Sequence, residues 1–119
     1  MGDDRGMAPR LRLLVLRCRD VDASARIFEA LGLTFVVEQH EVGPRHLAAT
    51  LDDGSVLELY PKRGMVVCDE RIGFEVPDVL AAVHGAAGAG AKVVAEPTAD
   101  YALIEDLDGR RVEVLRSAS

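Results

Sequence analysis

Alternating hydrophobic and polar residues dominate the chain, and helical spacing interrupts the alternation twice. In "LRLLVLRCRD", Leu14, Leu16 and Cys18 alternate with Leu13, Val15 and Arg17, which predicts a strand with two distinct faces. The next stretch, "VDASARIFEAL", places apolar residues at roughly helical intervals. Asp20 precedes it as a helix N-cap, and Gly32 follows it as a residue suited to the left-handed end of a helix.

The rest of the chain repeats this beginning. Three alternating stretches follow the first helix, at about 34–40, 45–51 and 55–60, joined by a Gly-Pro loop and an Asp53-Gly54 turn. A strand at 71–76 then precedes a helix that Asp78 caps and that runs to about Gly88. Further strands are predicted near 92–96, 101–105 and 110–115. The predicted order is βαβββ, twice.

Matching residues in the two halves indicate an internal duplication. The capping Asp20 recurs as Asp78 and the terminal Gly32 as Gly90. The stretch "DGSVLELY" at 53–60 recurs as "DGRRVEVL" at 108–115, so each half ends in an Asp-Gly turn and a strand with one glutamate. A repeat of this length predicts two copies of one supersecondary unit.

Strand alternation divides the predicted sheets into two faces, because residues two apart share a side. One face carries only apolar residues and is expected under the helices: Leu14, Leu16, Leu57, Leu59, Ile72, Phe74, Val112 and Val114. The other face is mixed: Leu13, Val15, Arg17, Val56, Glu58, Tyr60, Arg71, Gly73, Glu75, Arg111, Glu113 and Leu115. This mixture suits a small-molecule cleft, and it equally suits plain solvent-exposed surface.

Composition narrows the function classes. The chain has 119 residues, 49% of them hydrophobic, and a formal net charge of −6 with arginines scattered among acids. One soluble domain is expected, without the basic stripe that nucleic acid requires. The longest early apolar run, "LLVL" at 13–16, is too short for a signal or a membrane span. Cys18 and Cys68 form no disulfide framework, so a cytoplasmic protein with reduced thiols is expected, with Cys18 filling the core.

The paired βαβββ units, the strand "LRCRD", the helix end "IFEALGL", the strand "VLELYP" and the hairpin "IEDLDGRRVEVL" resemble the vicinal oxygen chelate superfamily. This group includes glyoxalase I, extradiol dioxygenases and bleomycin-binding resistance proteins. The resemblance implies an α+β fold in which two tandem modules form curved mixed sheets around a cleft, with helices outside. It places a tail at 1–10 and a single domain at 11–116, with modules at 11–62 and 70–116. It also implies a homodimer.

Metal-dependent members of this superfamily carry four ligands, at positions that correspond here to Leu13, Glu58, Arg71 and Glu113. Leucine cannot ligate and arginine is a permanent cation, so no metal is expected. Glu58 and Glu113 are ligands only in the alternative that one divalent ion binds. Otherwise we expect the Arg71 guanidinium to bridge Glu58, Glu113 or both.

The three histidines offer few further ligands. His40 and His46 flank the "EVGPR" loop and could face each other across the hairpin. Alternation is expected to direct them away from Glu58, so a shared site is not predicted. His84 is expected on a partly exposed helix face. Arg17 resembles an arginine that in glyoxalase I helps to hold a carboxylate of glutathione, which favours a ligand with an anionic group.

These observations favour a small-molecule-binding protein with a sequestration or resistance role. Its acidic cleft would be lined by Arg17, Glu58, Tyr60, Arg71 and Glu113. The chain lacks Trp and has two Tyr and three Phe, so a small polar or cationic ligand suits it better than a large planar drug. The alternative is a divalent-metal lyase or isomerase of the glyoxalase I type. A metal-free proton-transfer enzyme with Glu58 or Glu113 as general base, and a purely structural dimerisation module, also stay open.

Overall fold

The structure is a computed structural model that describes residues 8–62 and 70–118. Its elements, in chain order, are β1 (Leu13–Cys18), α1 (Val21–Ala30), β2 (Phe35–Glu38), β3 (His46–Thr50), β4 (Val56–Pro61), β5 (Arg71–Val76), α2 (Val79–Gly88), β6 (Lys92–Val93), β7 (Tyr101–Glu105) and β8 (Arg111–Arg116). The predicted order, βαβββ twice, is confirmed. Neither helix has the length and apolar composition needed to cross a bilayer.

Each half of the chain forms its own four-stranded mixed sheet. The strand orders are β1-β4-β3-β2 and β5-β8-β7-β6. The first and last strands of each half pair in parallel, and the remaining pairs are antiparallel. The predicted α+β class is therefore confirmed. Strand β6 ends at Val93 and is shorter than predicted, although the Val94 amide still donates to the Leu103 carbonyl at 2.9 Å.

The duplication extends to backbone geometry. The two helix caps, Asp20 and Asp78, have φ of −137° and −136° with the same ψ of 97°. Each carboxylate accepts a hydrogen bond from the amide three residues ahead, at 3.0 Å. Gly32 and Gly90, which follow the two helices, share a φ of 108° that other residues rarely adopt. The two βαβββ units are thus repeats in three dimensions as well as in sequence.

The core lies between the sheets and the helices, on the faces that alternation predicted. Leu57, Leu59, Val112 and Val114 are at most 1% exposed. The two helices also pack on each other, and the Phe28 ring meets the Phe74 ring edge-on at 6.0 Å between centroids. The two halves therefore share one core.

Cys18 is fully buried in this core, as predicted. Burial raises the pKa of its thiol above the ordinary value, so the group stays protonated and inert. Cys68 and residues 1–7 of the predicted tail lie outside the described residues.

A buried ion pair of the second half lies at the junction with the first half. The guanidinium of Arg110 donates to the Asp106 carboxylate at 2.6 Å, and both side chains are at most 3% exposed. A second Arg110 nitrogen donates to the backbone carbonyl of Arg17, at 3.0 Å, near the end of β1. Next to it, Arg19 donates from its backbone and its side chain to Asp108. The β7–β8 turn of the second half thereby holds the end of the first strand.

We expect Arg110→Met to lower the free energy of unfolding by about 3–5 kcal/mol, because the Asp106 carboxylate would remain buried without its partner. The matched control is Arg116→Met. Arg116 forms an ion pair with Asp100 at 2.7 Å, but both side chains are more than half exposed, so the loss should stay below about 1 kcal/mol. Urea denaturation of both variants measures the difference, and equal losses would contradict this role for Arg110.

Candidate functional site

Within residues 8–62 and 70–118, the faces of both sheets that point away from the helices are uncovered. All twelve residues that alternation assigned to this mixed face are exposed or half-buried. The apolar residues Leu13 and Val15 are 53% and 37% exposed there. Charged side chains lie among them in two groups, one on each sheet.

The Asp-Gly turn before β4 fixes where that strand begins, and β4 carries Glu58 of the first group. Asp53 accepts hydrogen bonds from the Ser55 hydroxyl at 2.6 Å and the Ser55 amide at 2.9 Å. These bonds hold the pKa of the Asp53 carboxyl below its ordinary value. Gly54 supplies the positive φ, 87°, that the turn requires. Strand β4 then pairs with β3, which fixes the position of Glu58.

The group on the first sheet centres on a stacked pair of rings. The His46 imidazole lies parallel to the Tyr60 ring, with 4.1 Å between centroids and 10° between planes. The Arg17 guanidinium lies over the same Tyr60 ring, 5.1 Å from its centroid. Glu58 is the nearby carboxylate, with Oε2 3.7 Å from His46 Nε2 and a side chain only 17% exposed. Three of the five predicted site residues, Arg17, Glu58 and Tyr60, thus lie together.

The expectation that His46 points away from Glu58 is wrong. In the antiparallel register Ala48 lies opposite Glu58 and Leu47 opposite Leu59. His46, two residues before Ala48, therefore shares the face of Glu58 and Tyr60. Counting alternation within each strand separately could not reveal this, because the strand-to-strand register determines the shared face.

Glu38 and His40 complete the first group. Glu38 lies directly opposite His46 in the β2–β3 ladder, and its Oε1 is 3.0 Å from His46 Nε2. The ring of His40, two residues further along, is 5.8 Å from the His46 ring between centroids. Sequence reasoning passed over Glu38. The signal that could have found it is the Glu-x-His spacing just before a short loop and a second histidine.

The charged side chains on the second sheet form arginine–glutamate ion pairs. Arg71 donates to Glu113 at 2.9 Å, the contact expected for one of its two possible partners. Arg111 pairs with Glu105 at 3.1 Å on the neighbouring strand. Within residues 8–62 and 70–118, no ion pair joins Arg71 to Glu58. The five predicted residues therefore fall into two clusters in one chain.

The four positions that correspond to the ligands of metal-dependent proteins do not fit a metal ion here. Leu13 offers no donor atom, and Glu113 is already bonded to the permanent cation of Arg71. A divalent ion at this place would have to displace that guanidinium and would then retain only two carboxylates.

Three cavities with volumes of about 410, 150 and 630 Å³ lie elsewhere. None of the five predicted site residues lines any of them.

Solved structures of known proteins resemble this chain throughout. Glyoxalase I of Leishmania major, described as trypanothione-dependent, superimposes with a TM-score of 0.68 and 23% identity, over 92% of this chain and 87% of that one. A glyoxylase/bleomycin resistance protein/dioxygenase domain from Frankia sp. EAN1pec gives a TM-score of 0.70 and 20% identity, over 92% and 98%. TnmS3, an antibiotic-binding protein from Streptomyces sp. CB03234, gives 0.67 and 19%, over 93% and 98%.

No protein-family model matches the sequence, and no curated protein matches it. The similarity therefore lies in the arrangement of strands and helices. That arrangement covers almost the whole length of each of the three structures. The chain has the fold that glyoxalase I, TnmS3 and the glyoxylase/bleomycin resistance protein/dioxygenase domain share.

Proposed function

We propose that this protein binds a small polar or cationic molecule on the uncovered face of its first sheet, without chemical turnover. Glu58 would supply the charge that recognises the ligand, and the exposed edge of the Tyr60 ring would lie beside it. Arg17 would bind an anionic group of the same ligand. The role is sequestration, and TnmS3, which shares the fold, is an antibiotic-binding protein.

The observation that carries this proposal is the difference between the two glutamates. Glu113 is bonded to Arg71, so a permanent cation already compensates its charge. Glu58 has no arginine or lysine partner within the described residues, and its neighbour is the imidazole of His46. A half-buried carboxylate without a permanent counterion favours a cationic or hydrogen-bonding ligand.

The charges around Glu58 define the ligand further. Glu38 adds a second carboxylate to the same face, and Arg17 has no carboxylate within ion-pairing distance in the described residues. A ligand with an amine or guanidine at one end and an anionic or polar group at the other would complement both. The exposed area of Tyr60 suits a small ligand, because His46 and Arg17 already lie against its ring.

A second copy of the chain would convert the open face into a cleft. Four large apolar side chains on the uncovered faces are exposed in the single chain: Leu13, Val15, Val36 and Tyr101. Apolar residues around a polar centre are typical of surfaces that bind another protein. We therefore propose that the protein is a homodimer in which one copy covers the ligand site of the other.

The alternative, a metal-dependent lyase or isomerase, needs Glu58 and Glu113 to share one ion. Their separate partners, His46 and Arg71, do not favour it. A metal-free enzyme with Glu58 as general base remains compatible with the same face. Binding with recovery of the unchanged ligand separates sequestration from both forms of catalysis.

We expect Glu58→Gln to weaken ligand binding by about 10- to 100-fold, because it removes a charge-assisted contact worth about 1.5–3 kcal/mol. A panel of small amines, guanidines and amino sugars is first screened by thermal shift. Calorimetry then gives the dissociation constant of each hit, and NMR tests whether the compound is recovered unchanged.

Glu29→Gln on α1 is the matched control, since Glu29 is an exposed glutamate on a helix. Its affinity should equal that of the unaltered protein. Unchanged affinity in Glu58→Gln, or conversion of a hit to product, would contradict the proposal.

We expect Leu13→Glu to convert the proposed dimer to monomers, because a charge buried without a partner at an interface costs several kcal/mol. Val42→Glu is the control. Val42 is 94% exposed in the loop before β3, away from the sheet face, and its substitution should leave the dimer intact. Light scattering after size exclusion measures the mass, and a monomeric unaltered protein at micromolar concentration would exclude the dimer.

A further inference from the structure

We propose that Glu38, His40 and His46 form a binding site for one divalent transition metal ion of the zinc class. The site lies on the β2–β3 hairpin, apart from the four positions that the resemblance assigns to metal ligands. It goes beyond the proposed ligand site and does not depend on it. One carboxylate and two imidazoles are the donor set that zinc prefers when a fourth position stays open.

The three side chains already converge. One ligand atom from each of Glu38, His40 and His46 lies within 4.8 Å of the others. Ligands of a tetrahedral zinc ion at bond lengths of 2.0–2.1 Å lie about 3.3 Å apart. The 3.0 Å between Glu38 Oε1 and His46 Nε2 is close to this separation. Only His40 must move closer, and its side chain is exposed and follows the end of β2.

The backbone holds two of the ligands in place. Glu38 and His46 are directly opposed residues of the antiparallel ladder, and His40 is two residues from Glu38, the spacing at which side chains point to the same face. The stacked ring of Tyr60 restricts rotation of His46. An ion would therefore bind a largely preorganised pair and order one exposed side chain.

The hydrogen bonds of His46 give the strongest support for this metal site. His46 Nδ1 is 3.2 Å from the Pro44 carbonyl, which can only accept, so Nδ1 carries a proton. Nε2 then points at Glu38 Oε1, at 3.0 Å, with Glu58 Oε2 also 3.7 Å away. A ring with one nitrogen bonded to a backbone carbonyl and the other directed at carboxylate is the arrangement of a histidine ligand with its outer-shell partner.

Two states of the His46 ring are compatible with these contacts. In one, Nε2 is also protonated and His46 forms an ion pair with Glu38. In the other, Nε2 is unprotonated and an ion lies between it and the carboxylate, with His40 as the third ligand. The position of His40 favours the ion, because a simple ion pair between Glu38 and His46 gives no reason for a second imidazole beside it.

The test is a calorimetric titration of the tag-free protein with Zn²⁺, after removal of metal with a chelator and desalting. All proteins carry Cys68→Ser, so that no thiol outside the described residues contributes. We expect a single ion per chain at micromolar protein concentration. Titration with Co²⁺ should give the intense visible absorption of a tetrahedral ion with nitrogen ligands.

His40→Ala should weaken Zn²⁺ binding by at least about 100-fold, because loss of an outer-shell partner alone costs 10- to 100-fold. His84→Ala is the matched control, since His84 is an exposed histidine on α2, and it should bind as the unaltered protein does. Glu38→Gln should match His40→Ala. These two variants decide the question even if a substitution at the buried His46 prevents folding.

Three results would overturn the inference. The first is no uptake of Zn²⁺ by the unaltered protein, which would leave the ion pair between Glu38 and His46. The second is equal affinity of His40→Ala and His84→Ala. The third is loss of binding in Glu113→Gln with full binding in His40→Ala, which would place the ion at the inherited positions.

Discussion

The relative placement of the two halves depends on the buried ion pair between Asp106 and Arg110. Removing two charges from water is unfavourable unless the remaining donors are also satisfied. Arg110 also donates to the carbonyl of Arg17, so the residue that neutralises Asp106 also holds the end of β1. The same strand carries Arg17 onto the uncovered face. A junction that looks purely structural thus helps to position a candidate ligand-binding residue.

The two halves share their backbone and differ in how their charges are compensated. The caps and the terminal glycines coincide within a degree, which is what duplication of one unit predicts. The turn before the last strand differs. In the first half Asp53 accepts hydrogen bonds from the nearby Ser55, whereas in the second half Asp108 reaches Arg19 across the junction. The two Asp-Gly turns occupy equivalent places in the repeat, and the second one contacts the other half of the chain.

The sequence predicted the order of elements, the buried face and the contact of Arg71 with Glu113, because these follow from local spacing and from a permanent charge beside an acid. It did not predict that His46 faces Glu58. That relation depends on the register between β3 and β4, and a shift of one residue would reverse it. It also did not predict the role of Arg110. A basic residue in a turn is usually exposed, and only the packing of the two halves buries this one.

The carboxylates on the two sheets are compensated in different ways. A carboxylate on a partly covered face needs compensation, and on the second sheet the guanidinium of Arg71 provides it permanently. On the first sheet, Glu38 and Glu58 both approach Nε2 of one imidazole, at 3.0 and 3.7 Å. Neither carboxylate has an arginine or lysine partner among the described residues, so this site can accept a cation. The first sheet is therefore where a cationic ligand or a metal ion would find uncompensated negative charge, and the second sheet is not.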